Sequence, residues 1–191
     1  MRHNRTEMKA LILKRVSLVL LTASLPLLST CSQNILFYED TVNDWYKKVK
    51  LPDGSILYET TKEVCWTSPR SNANFGYWTA SYPWNKKRVI KATGNAVTIY
   101  PGYAWDGMTV GSTTVKELKP SLIHDALLHA YSQKAPIKRK QADLAFYDLL
   151  GEKKMDSRLV YYPLVRSFGW AFLNKDKSSL IIKRDAKSTK K

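Results

Sequence analysis

The chain has 191 residues, enough for one ordinary domain or two small ones. It is 44% hydrophobic and 12% aromatic, too apolar for wholesale disorder, and its two cysteines exclude both a disulfide-dense scaffold and a zinc site made only of thiolates. Basic residues outnumber acidic ones by 31 to 16, and a formal charge of +15 draws such a chain towards anionic partners: nucleic acid, acidic lipid headgroups or phosphate-bearing envelope polymers.

Residues 1–30 read as an export signal. Arg2, Arg5, Lys9, Lys14 and Arg15 form a positive start, and Val16 to Leu28 is uncharged and rich in leucine. This apolar stretch is shorter than the roughly 18–20 residues that a span of a multi-span membrane protein needs. Leu28-Ser29-Thr30-Cys31 then resembles a bacterial lipobox, which implies lipidation of Cys31 as the mature first residue. Ser32 after that cysteine resembles sorting to the outer membrane, so the expected place is the periplasmic face of the outer membrane in a bacterial envelope. An uncleaved anchor and ordinary cleavage without lipid are the alternatives, and all three export the domain downstream of the signal. Cys65 is expected to be a small core residue rather than a disulfide partner.

From residue 31 to residue 84 the sequence reads as short strands with turn punctuation. Pro52-Asp53-Gly54 between the apolar runs of Val49–Tyr58 signals a hairpin, and Gly94-Asn95 within Val89–Tyr100 signals a second. Phe75-Gly76-Tyr77-Trp78 and Tyr82-Pro83-Trp84 add aromatic strand or loop material. These aromatics form either the core of a small sheet or an exposed sugar- or lipid-contacting surface.

Near residue 115 the period becomes helical. Pro120 suits a first helical position, and Ile123, Ala126, Leu127 and Ala130 come after it as an apolar stripe. A second helix is expected over Lys138–Leu150, with Ala142, Ala145, Phe146 and Leu149 as its stripe and Gly151 as its terminating glycine. A third runs from about Ser157 to Leu173, kinked or begun near Pro163. The short connection makes the first two helices antiparallel neighbours. The expected fold class is therefore α+β: a small antiparallel sheet, then an antiparallel helical hairpin and a third helix. Residues 174–191 make a basic tail, either a solvated end or an electrostatic contact through Lys183, Arg184, Lys187, Lys190 and Lys191.

His124 and Asp125 are adjacent on the first helix, so their side chains project about 100° apart. Such a pair suits two jobs in one cleft: an imidazole holding water and a carboxylate holding something else, such as a cation. Asp143 lies one step off the stripe of the second helix, from which it can approach His124 and orient it as a general base. Upstream, Asp106 stands between Gly102 and Gly107, and their carbonyls with its carboxylate suit a hard cation such as calcium. The plainer alternatives are a His-Asp element that only satisfies polar groups between helices, an Asp125–His129 pair at i, i+4, and a simple turn at Asp106-Gly107.

The stretch from Lys87 to Phe172 resembles a family of phage and bacterial proteins catalogued as domain of unknown function 1353. The resemblance rests on Gly102-Tyr103-Ala104-Trp105-Asp106-Gly107-Met108-Thr109, on His124-Asp125-Ala126-Leu127-Leu128, on Ala142-Asp143, and on Tyr162-Pro163-Leu164-Val165-Arg166-Ser167-Phe168-Gly169. It makes residues 85–173 a family-like domain, with Leu128 where the family usually has tyrosine. The His-Asp helix with a helix carrying Asp after it is also similar, more weakly, to the phospholipase A(2) superfamily. That similarity implies a calcium-assisted lipid ester hydrolase: His124 activating water, Asp143 orienting it, and Asp125 with the Gly102–Gly107 loop holding calcium. The expected function is that of an exported envelope lipoprotein that binds or modifies an envelope component, with the hydrolase as the alternative. The expected partners are the membrane, reached by lipid anchor and basic tail, and an anionic lipid or envelope polymer. Nucleic acid is not expected, since export removes it and no nucleic-acid module is recognisable.

Overall fold

The computed structural model describes residues 38–42, 44–108, 114–168 and 179–185, all within one unit, Leu36–Lys191. Residues 1–30, read from sequence as an export signal, and Cys31 lie outside the described residues, as do Lys187, Lys190 and Lys191.

Strands come first and helices after them, in a mixed α+β architecture. The chain runs β1 (Tyr38–Val42), β2 (Tyr46–Lys50), β3 (Ile56–Thr60), β4 (Val64–Thr67), β5 (Tyr77–Ser81), β6 (Arg88–Thr93), β7 (Ala96–Ile99) and β8 (Ala104–Trp105). The helices α1 (Val115–Ser132), α2 (Arg139–Glu152) and α3 (Arg158–Phe168) come next, and β9 (Ile181–Arg184) returns to the sheet. The one small sheet expected from sequence is two antiparallel sheets, ordered β1-β2-β3-β8 and β4-β7-β6-β5-β9. No described helix is long and apolar enough to cross a membrane.

Both expected hairpins form. Leu51 and Gly54 close the β2–β3 turn, where Gly54 has φ 84° and the Asp53 carboxylate accepts from the Ser55 amide and hydroxyl. Thr93 faces Ala96 across Gly94-Asn95, with φ 62° at Gly94. The aromatics fall mostly inside: Trp66, Trp78 and Trp105 are buried, and Trp84 is exposed. Antiparallel register builds the core in rows, since side chains alternate faces along a strand. Trp78, Ala92, Val97 and Trp66 make one row, and Ala80, Ile90, Ile99 and Val64 the next, all buried.

One residue joins the two sheets. The Thr60 amide donates to the Tyr103 carbonyl, and its own carbonyl accepts from the Gly102 amide. Its hydroxyl donates to the Tyr100 carbonyl and accepts from the Tyr103 amide. The segment between β7 and β8 is thereby strapped to the end of β3, and Gly102 takes φ 94° to make the turn.

Indole and carboxylate contacts dock the helices on the sheets. Trp105 Nε1 donates to Ser121 on α1 at 3.2 Å, and Trp66 Nε1 to Glu152 on α2 at 2.9 Å. Arg70 forks onto Asp148 at 2.6 and 2.7 Å. Two helix boundaries differ from expectation. α1 begins at Val115, where the Thr114 amide donates to the Glu117 carboxylate, so Pro120 sits one turn inside rather than at the first position. α2 continues through Gly151 to Glu152. α3 starts close to the expected Ser157, with Pro163 inside it rather than at its start. The sheet also runs across residue 84, which falls in the β5–β6 turn, and part of the basic tail, Ile181–Arg184, is a strand paired with β5.

Candidate functional site

The imidazole of His124 lies between the helices. Its own helix supplies Asp125, whose Oδ1 stands 3.7 Å from Nδ1. Adjacent helical positions diverge by about 100°, yet the two side chains meet in an ion pair. From α2, Asp143 Oδ1 reaches His124 Nε2 at 3.0 Å, and Phe146 packs its ring 4.9 Å from the imidazole. The expected approach of Asp143 to His124 is therefore observed. His124 is 7% exposed and Asp143 0%.

Two arginines complete the network. Arg166 on α3 donates from Nη1 to Asp143 Oδ2 at 2.7 Å. Arg139, one turn before Asp143, has its Nε 3.7 Å from the same oxygen. Its Nη2 donates to the carbonyls of Val165 and Arg166, among the last carbonyls of α3, where a cation suits the helix dipole. Asp143 thus connects all three helices. Sequence alone assigns Arg166 no role, although it stands in the Tyr162–Gly169 motif. Arg139 is marked there only by its i, i+4 spacing to Asp143.

Burial opposes the charge on His124, but the carboxylates of Asp125 and Asp143 outweigh it and raise the pKa above the ordinary 6.5. Burial pushes Asp143 up, and His124 with Arg166 and Arg139 more than offsets that, holding its pKa below 3.8. The two carboxylates thus favour the protonated ring over the neutral one. A general base needs the opposite: a neutral ring with one nitrogen facing water. His129, on the same helix, is buried, with Nδ1 3.5 Å from the Tyr103 hydroxyl. Burial, with the nearby charge of Asp125 next in weight, pushes the Tyr103 phenol well above its usual value.

The residues expected to hold calcium sit in different settings. Asp125 is buried beside His124, whereas Asp106 is exposed. Gly102 and Gly107 both take positive φ, and a Cβ at Gly102 would come 2.8 Å from Lys87 Nζ, so a cation already stands at that loop. Among the described residues no group of three or more His, Cys, Asp or Glu is placed to hold a metal ion. The described residues therefore do not confirm a calcium site. Lys183 and Arg184 are exposed on β9. Cys65 is exposed rather than in the core, its thiol 3.2 Å from Glu63.

Comparison with protein-family models, with curated proteins and with solved structures finds no match.

Proposed function

We propose that this chain is an exported, lipid-anchored envelope protein, of the phage and bacterial family it resembles, that binds or masks an anionic envelope component through its basic surface. The observation that carries the reading is the leader: a basic start, the apolar Val16–Leu28 stretch and Leu28-Ser29-Thr30-Cys31. The formal charge of +15 supports an anionic partner, as does the exposure of Lys183 and Arg184 on an edge strand. One acyl chain gives only reversible membrane binding, so a basic surface is the natural second contact.

A second reading, a lipid ester hydrolase, is favoured by the 3.0 Å contact between His124 and Asp143. The raised His124 pKa and the ring's burial weigh against it as a general base near neutral pH.

One set of bacterial fractions tests both readings. Wild type should sediment with the outer membrane, and Cys31→Ser should move to the soluble periplasm. Wild-type membranes should release no fatty acid above a His124→Gln control, with calcium or with chelator. An unchanged Cys31→Ser distribution removes the lipid anchor. Calcium-dependent release lost in His124→Gln replaces the binding reading with the hydrolase.

A further inference from the structure

The β5–β6 turn carries an exposed indole beside three consecutive cations. Trp84 is 63% exposed, although Trp66, Trp78 and Trp105 are at most 5% exposed. Its ring stacks on Tyr82 with centroids 4.4 Å apart and planes at 16°. Tyr82 is itself buried, so the outward indole rests on a fixed base. The turn is closed by hydrogen bonds from the Tyr82 amide to the Lys87 carbonyl and from the Lys86 amide to the Tyr82 carbonyl. The Asn85 side chain accepts from the Lys87 amide at 2.8 Å.

Lys86, Lys87 and Arg88 are all exposed. Lys87 lies along Gly102, and the Arg88 guanidinium stands 5.8 Å from the centre of the Tyr100 ring. Those contacts seat two cations at the base of the turn, with Lys86 beyond them. On the neighbouring strand Ile181 pairs with Ser81 and is 49% exposed, which adds a second apolar side chain at the same end of the sheet.

We propose that this tip docks on an anionic phospholipid surface. Indole rings settle at headgroup depth, where an apolar body and a polar N–H are both satisfied. Flanking ammonium and guanidinium groups meet lipid phosphates, each contributing favourably near an anionic leaflet. Apolar wedge and cations together fit this partner better than cations alone would fit a soluble polymer. The proposal deepens the envelope reading and rests on it only for the nearness of a membrane; the tip's chemistry does not involve Cys31.

The test uses the full chain with vesicles of equal parts phosphatidylglycerol and phosphatidylcholine carrying brominated acyl chains. Bromine should quench tryptophan emission, and Trp84→Phe should lose most of that quenching. Joint Lys86→Glu and Lys87→Glu should require on the order of tenfold more anionic lipid for the same quenching. A Trp84→Phe protein quenched like wild type overturns the proposal. So does a result in which a soluble polyanion shields Trp84 from acrylamide and vesicles do not, which would give the tip to an anionic polymer. Persistent Trp84 quenching alongside an unchanged Cys31→Ser distribution would sink the lipid anchor and leave the tip standing.

Discussion

Asp125 and Asp143 together raise the pKa of His124, outweighing the cost of burying its charge. With a folded pKa above 6.5, its contribution to stability is complete below about pH 6.5 and is lost as pH rises through the folded value. Asp143, held below 3.8, contributes above about pH 3.8 and loses that contribution as pH falls through its folded value. The network should therefore stabilise most between those two ordinary values. Asp143→Asn leaves Arg166 and His124 facing a neutral amide and should cost about 3–5 kcal/mol, the usual penalty for breaking a buried ion pair from one side. Urea unfolding across pH checks both points: the variant should also show a shallower loss of stability on the alkaline side. A wild-type midpoint that climbs above pH 6.5, with the variant moving in parallel, would contradict the assignment. The meeting of His124 and Asp143 is legible in the sequence because each lies one step off an apolar helical stripe and a short connection joins the two helices. The ion pair with Asp125 is not, since spacing gives the angle between neighbouring side chains but not how each one bends. Arg166 is equally hidden, because a long guanidinium chain finds its partner only after α3 has packed.

At the scale of the elements, hairpins and helix order are readable because turn residues and periodicity are local. Helix ends depend on tertiary contacts and are less so. Gly151 has the composition of a terminating glycine, yet the helix passes through it and the left-handed residue is Lys154, with φ 54°. What Gly151 provides is room. A Cβ there would lie 2.5 Å from Arg158 Nη1, and the Arg158 guanidinium stands 5.2 Å from the Tyr147 ring centre. Lys154→Gly should therefore raise stability by about 0.5–1 kcal/mol, by removing the left-handed penalty of a residue that has a Cβ. A lowered urea midpoint in that variant would show that the lysine side chain outweighs its backbone cost.

For the molecule as a whole, the least legible feature is the closure of the second sheet by β9. A lysine-rich segment reads as solvated tail, but Leu180 is 6% exposed and Ile182 packs against the core. Ending the chain before Ser179 should forfeit roughly the 1.5–3 kcal/mol of one buried leucine and leave β5 as an unpaired edge. Thermal unfolding and light scattering should show a lower midpoint and self-association; an unchanged midpoint in a monomeric protein would make β9 dispensable. The pairing also orders events in time. β5 is made before the three described helices and is followed at once by its partner β6, but its other partner, β9, comes only after all three. Through that interval a growing chain presents one open edge of β5 to whatever surrounds it, so that edge needs shelter until β9 emerges.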